Sequence, residues 1–452
     1  MTRVRVDTRT EVDEVLERTL RHSEAHETEV LYLAQDDALT RFANSQIHQN
    51  VAEHDRSIQV RVIHEQRTGV ASTNRLDEAS LRDVVERATA ISRRARPNPK
   101  TAELPDGAGE TDPELGYVAR TAEADPEERG RGARAVIAAG GPHGLTVSGS
   151  FATGTSTTAV ANSRGLRSYH RSTRAALVTV MLEDGATGYA NAASGDVGDI
   201  DAEALGREAA DKAVRSRGAE EIEPGEYEVV LEEYAVATAL EYLSYIGFSA
   251  LAYEEERSFM ELGKQVMGAN VSIWDDGCDP SGLPTPIDYE GVPKQRVDLI
   301  ERGVAKAVVH DAATASRAGV RSTGHALPAP NVYGPYAWNL FMAPGEASKE
   351  DMLASIGRGV WVTRFHYVNP VHPKKAVLTG MTKDGTFLVE NGRFVKPILN
   401  MRFTQPMLDA FSSVEAISSD TRLLPGDFIG GTRAPAVKLG RFNFTGVTRR
   451  DG

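Results

Sequence analysis

The chain has 452 residues, 40% of them hydrophobic and 25% charged, with a formal net charge of −13. That length accommodates two domains or more in an ordinary soluble globular composition, and the acidic balance argues against general nucleic-acid binding, which needs a basic surface. There is no run of about 18 apolar residues to cross a membrane, and the one cysteine, Cys278, rules out an internal disulfide and a cysteine-rich zinc site. The N-terminus carries no apolar signal core, so a cytoplasmic location is expected.

Residues 9–25 place Val12, Val15, Leu16 and Leu20 at helical spacing. Alternation over residues 29–33, 57–63 and 68–72 predicts strands, with turns at residues 35–37 and 65–67. A helix is expected over residues 76–95, acidic at its start and basic at Arg93, Arg94 and Arg96 before Pro97. Residues 97–116, rich in Pro, Gly and Thr, read as an exposed excursion. A helix over residues 125–139 with Pro126 in its first turn follows. Then come strands over residues 146–153, 156–162, 166–173 and 175–183, and a helix over residues 197–217.

A polar boundary, SRGAEEIEPGE (residues 216–226), divides this part from a strand at 227–231 and a long helix at 234–253. The rest is rich in strands and turns, with a short helix in KEDMLASIGR (residues 349–358). Hairpin signals stand at Asn391-Gly392 and at Lys383-Asp384-Gly385. The fold class expected is α+β in two domains, residues 1–218 and 225–452, each with a largely antiparallel sheet and packed helices.

Catalytic signatures are sparse. No HExxH or HExxxH, no GxSxG and no GxxxxGK[ST] occurs. His22 and His26 share a helical face at metal-ligand spacing, but lie beside Arg21 and Glu24 on a solvated helix. Asp275, Asp276 and Asp279 form a dense acidic loop without the ligand order of a calcium loop, and read as a solvated turn. They flank Cys278, whose acidic setting raises a thiol pKa and does not activate it. His310, His325, His366 and His372 have no recognised ligand spacing.

Several blocks in order resemble the TldD/PmbA family, also called the modulator-of-gyrase family. In the N-terminal part they are TRFANSQIHQN (residues 40–50) and VRVIHEQRTGVAST (60–73). In the C-terminal part they are RSFMELGKQV (257–266), IDYEGVPKQRVDLIERGV (287–304), RSTGH (321–325), APGEASKEDMLASIGRGVWVT (343–363) and FLVENGRFVKPI (387–398). The resemblance implies one of two subunit types. TldD-type chains carry HExxxH on the helix before the RSF block and a distal cysteine, binding zinc with the glutamate as general base. TldE/PmbA-type chains lack the motif and pair with a TldD-type chain.

Here the corresponding helix reads EYLSYI (residues 241–246). No histidine occurs between His170 and His310, and SSDTRLLPGDFIGGTRAP (418–435) has no cysteine. The expectation is therefore a TldE/PmbA-type subunit of a heteromeric zinc metallopeptidase. It carries no catalytic residue, metal or cofactor of its own, and zinc is expected in the TldD-type partner. The expected ligand is an extended peptide held by strand addition, and an isolated preparation is expected to form homodimers. No nucleic-acid or membrane partner is expected. The implied substrate-side residues are Ser322, Thr323, Gly324 and His325, the last where the family usually has asparagine, together with Arg364 and His366. Two other readings remain: a stand-alone hydrolase with a metal site rebuilt from His310, His325, His366 and His372, and a non-enzymatic binding or regulatory protein.

Overall fold

A computed structural model describes residues 8–107, 111–426, 428 and 430–448; positions 108–110 of the expected excursion lie outside them. The fold is α+β, built on two sheets. The first has six antiparallel strands in the order Arg67–Thr73, Gln46–His64, Glu27–Ala43, Thr146–Asn162, Arg167–Glu183 and Ala186–Ser194. Helices Arg9–Arg21 and Glu78–Arg94 bury Val12, Leu16, Leu81 and Val85 against Val30, Tyr32, Ile58 and Val60. Helices Pro126–Gly140 and Ala202–Arg215 bury Val136, Leu205 and Ala209 against Phe42, Phe151 and Leu177. Thr8, Asp77, Asp125 and Asp201 each cap a helix N-terminus by accepting a backbone N–H.

The strands are longer than the sequence suggests. Residues 35–37 form no turn. They run through the middle of Glu27–Ala43, opposite residues 53–55 on one side and 154–156 on the other. Pairing along both edges satisfies their backbone and outweighs the turn preference of Asp. Gly154 leaves the room: a Cβ there would lie 2.3 Å from Asp37 Oδ1. The chain reverses instead at Asn44-Ser45, where φ is 50° and 58°. The four short strands expected over residues 146–183 are two long ones, and Ala186–Ser194 was not expected.

The second sheet has eleven strands. Five of them, Gly431–Val447, Met401–Pro406, Val377–Glu390, Arg358–His372 and Gly225–Leu231, close on themselves, because the last pairs back to the first. Most pairings are antiparallel; Gly225–Leu231 runs parallel to Arg358–His372. Helix Glu233–Leu243 follows directly from Gly225–Leu231 and packs on Arg358–His372 and Gly431–Val447. Asp384-Gly385 makes no hairpin. It is a bulge inside Val377–Glu390, with φ of 57° and 120°.

The long helix expected over residues 234–253 is broken. Regular helix ends at Leu243, a π-helical turn occupies Ser244–Phe248, Ser249 is extended, and Ala250–Glu254 resumes. Tertiary bonds replace helical ones: Ala250 N donates to Val309 O (3.0 Å), Val309 N to Phe248 O (2.9 Å), and Ser258 Oγ to Gly247 O (2.6 Å). Among the described residues no helix is long and apolar enough to cross a membrane.

Candidate functional site

The broken helix and the loop before strand Gly431–Val447 meet at one place. Glu241, 5% exposed, accepts a hydrogen bond from Thr432 Oγ1 at 3.2 Å. Beside it, Tyr242 donates its hydroxyl to Val368 O (2.6 Å), and three residues on Ser244 Oγ donates to Ala337 O (2.6 Å). The Tyr336 hydroxyl hydrogen-bonds Ser244; burial first, then the Glu241 carboxylate, push its pKa well up. Phe428 sits among three tyrosines. It stacks on Tyr245 with centroids 5.5 Å apart at 18°, and Tyr242 (5.6 Å, 74°) and Tyr336 (6.5 Å, 81°) meet it edge-on. Tyr245, Tyr336 and Phe428 wall a cavity of about 570 Å³ that Tyr333, Pro335 and Pro370 complete, and Tyr242 braces Phe428 from behind.

On the other side of Glu241 a recess of about 50 Å³ is shared with Arg364, Tyr189, Asn191 and Tyr234. Arg364 pairs with Asp384, which is 1% exposed, and its guanidinium lies 4.3 Å from the centroid of the Tyr189 ring on the first sheet. His366, two residues on along the same strand, is held mainly neutral by partial desolvation and then by the Lys383 and Arg364 cations, which lower its pKa.

The turn Ser322–Thr323–Gly324–His325 is tied inward. Ser322 Oγ donates to His310 O (3.2 Å), His310 N donates to Thr323 Oγ1 (2.7 Å), and Gly324 has φ 73° with Pro293 O only 2.5 Å from where a Cβ would lie. His325 is fully buried. Its Nε2 donates to Asp275 Oδ1 (2.9 Å) and its Nδ1 lies 2.9 Å from Thr323 Oγ1. Lys294 Nζ reaches Asn339 Oδ1 (2.8 Å) and Asp275 Oδ1 (3.4 Å) and lies 3.6 Å from the Trp338 ring centroid.

Burial alone would raise the Asp275 carboxyl, but Lys294 and then His325 outweigh it and hold its pKa below the usual value. Burial, reinforced by Lys294, lowers the pKa of His325 and keeps it neutral. Asp275 is thus no part of a solvated acidic turn. A lysine 19 residues on and a histidine 50 residues on draw it into the interior. Only Asp276 and Asp279 make the expected local turns, accepting from Cys278 N and Ser281 N. The turn reaches the aromatic cavity through its backbone, Tyr336 N donating to His325 O (2.9 Å). Arg364 shares the recess with Glu241, while His325 lies buried behind the Tyr336 backbone and lines neither cavity.

Cys278 is exposed, and partial burial, then Asp276, push its thiol pKa up. His22 is engaged by Glu78 at 2.7 Å. The elements that the resemblance assigns to zinc do converge, but they bring one carboxylate, hydroxyls and rings. This donor set does not fit zinc, which takes imidazole, thiolate and carboxylate in a tetrahedron. Among the described residues no group of three or more His, Cys, Asp or Glu could hold a metal ion. Tyr242, Tyr245, Tyr336 and Phe428, which build the site, are not among the residues expected from the sequence, because Tyr336 and Phe428 lie far along the chain from the helix they meet. The tyrosines of EYLSYI, three apart on one helical face, were the available signal.

Three family models match in order: PmbA/TldA metallopeptidase domain 1 (residues 28–92), the central domain (117–217) and the C-terminal domain (224–446). The metalloprotease PmbA of Escherichia coli O157:H7 is 24% identical over 85% of this chain and 86% of its own length. A metalloprotease TldD homolog of Buchnera aphidicola is 27% identical over 40% of this chain; the match spans 37% of that relative. The crystal structure of TldE from Thermococcus kodakarensis superposes with a TM-score of 0.86 over 96% of this chain and 100% of that one, at 19% identity. A Thermotoga maritima chain solved under a gyrase-modulator description gives 0.84 over 96% of this chain and 100% of that one, at 22% identity. At these identities the solved structures establish the fold.

Proposed function

The chain belongs to the PmbA/TldD metallopeptidase family, and on that footing we propose that it is the TldE/PmbA-type subunit of a two-chain metallopeptidase acting on peptides. The observation that carries this reading is the exchange of metal-ligating chemistry for aromatic packing where helix Glu233–Leu243 and its π turn meet Phe428 and Thr432. Glu241 there is hydrogen-bonded by Thr432 and has no imidazole pair beside it to share a metal. In this reading a TldD-type partner supplies zinc, which lowers the pKa of a bound water, and the general base. This chain completes the chamber around an extended peptide.

Its two parts, residues 1–218 and 225–452, act as two domains, the second bearing the substrate wall. Arg364 lines the recess beside Glu241 and His366 follows two residues on along its strand, both serving the substrate side; Ser322, Thr323 and Gly324 form the turn, and His325 positions it. The isolated chain pairs with itself through the surface meant for its partner. Co-expression with a TldD-type chain tests the proposal. A stable complex cleaving a peptide library that neither chain cleaves alone supports it; failure to associate removes it.

A further inference from the structure

We propose that the aromatic cavity beside the π turn is a binding site for the apolar C-terminal end of a peptide, with the terminal carboxylate held at Arg257. This rests on the reading of the chain as a peptide-handling subunit and adds where, and which part of, a peptide it grips. The cavity, about 570 Å³, has the size of a ligand site. Its wall is aromatic and proline-rich, from Tyr245, Tyr333, Tyr336, Phe428, Pro370 and Pro373. Tyr245 is 42%, Phe428 46% and Tyr333 62% exposed, unusual for large apolar rings on an acidic protein, and an exposed concave apolar patch marks a binding site. The Phe428–Tyr245 stack and the edge contacts of Tyr242 and Tyr336 fix the platform before any ligand arrives, so little ordering is required on binding.

Charge selects the end of the peptide. Arg257 is the charged residue that lines the cavity, and the exposed Lys374 and Lys375 follow Pro373, which also lines it, so cations stand on this side of the cavity on a chain of net charge −13. Arg257 contacts Glu255 at 2.7 Å with both side chains more than 40% exposed, a weak pair that an incoming carboxylate can displace. The wall also holds the Ser249 hydroxyl, in a residue 5% exposed, with no hydrogen-bond partner among the described residues. A planar guanidinium above an apolar slot recognises a carboxylate carried on an apolar residue.

Fluorescence anisotropy on the purified chain, without metal or partner, tests this. The probes are fluorescein-labelled Gly-Ser-Gly-Pro-Leu-Phe with a free C-terminus, the same peptide amidated, and Gly-Ser-Gly-Ser-Ser-Ser. The free acid should bind about tenfold or more tighter than the polar control, and Phe428→Ala or Tyr333→Ala should each lose about tenfold. Arg257→Gln should remove the preference for acid over amide. Equal binding of apolar and polar peptides, no binding, or insensitivity to both ring truncations overturns the proposal. Unchanged peptide binding with an altered oligomeric mass in Phe428→Ala also overturns it and assigns the groove to a second copy. Because this chain is measured alone, a negative result leaves the two-chain peptidase reading standing, and failure of that reading does not alter the peptide affinities.

Discussion

Tyr245 lies face to face with Phe428, the ring centroids 5.5 Å apart and 18° from parallel, although 183 residues separate them in the chain. The π turn makes this possible. An uninterrupted α-helix would carry Tyr245 and the residues after it along a straight axis, whereas the wide turn at Ser244–Phe248 ends the helix beneath the Phe428 loop.

The turn depends on glycine. A Cβ on Gly247 would lie 2.1 Å from the Phe259 ring. Gly247→Ala should cost about 1–3 kcal/mol through overpacking, read as a lower denaturation midpoint at unchanged slope. Adding Phe259→Leu should recover part of the loss. An undamaged Gly247→Ala chain would mean that Phe259 moves aside freely and does not shape the turn.

Asp275, Lys294 and His325 are all fully buried, and Asp275 answers both partners. Asp275→Ala should therefore cost about 3–5 kcal/mol, because it leaves Lys294, whose pKa burial already pulls down, together with His325 Nε2 and Asn339 N, without the buried carboxylate they share. The pair Asp275→Leu with Lys294→Met should be milder than either change alone. A loss below about 1 kcal/mol for Asp275→Ala, within the range of a surface pair, would contradict the buried network.

Acid should loosen the contact between the two sheets. Glu208, on a helix of the first, accepts from Lys212 (2.8 Å) and Tyr234 (2.9 Å) and meets Arg422 of the second (2.9 Å). Burial works to raise its pKa, but Lys212 and Arg422 bring it down from 4.5 to about 2. A depressed folded pKa gives stability that is complete above the unfolded value and is lost as pH falls through the folded one. Glu208 should then contribute about 3 kcal/mol above pH 4.5, disappearing towards pH 2. Glu208→Gln should flatten that limb of the stability–pH curve; an unaltered limb would remove Glu208 as its source.

Asp288 acts with the opposite sign. Burial and the Glu290 carboxylate raise it from 3.8 to about 8, against three backbone N–H donors. The folded state then holds a proton that the unfolded state releases, so this group lowers stability as pH climbs from about 4 to about 8 and levels off above. Glu290→Gln should leave the onset near pH 4, end the decline at a lower pH and make it shallower; an identical curve would exclude the coupling.

How much of this was legible varied with the range of the interactions. The starts after Asp77 and Asp125 were, because these caps act on the next turn alone; the helix expected from residue 197 begins instead at Ala202, after a separate short turn at Val197–Asp199. The antiparallel α+β class followed from alternation. The break after Leu243 was not, because the causes are Phe259 and Val309, and helical periodicity continues through it. Residues 35–37 failed as a turn for the same reason: two neighbouring strands, one more than 110 residues away, complete their backbone bonding. At the site, the absence of histidine and cysteine was plain from composition. The aromatic cluster filling that place was not, since it needs the Phe428 loop laid against the helix.

Metal content and peptidase activity, measured on this chain alone and on its complex with a TldD-type chain, test the central claim most directly. The account predicts no stoichiometric zinc in this chain alone, and chelator-sensitive cleavage only in the complex. Stoichiometric zinc and cleavage by this chain alone would contradict it, and would require a metal centre that the residues around Glu241 do not supply.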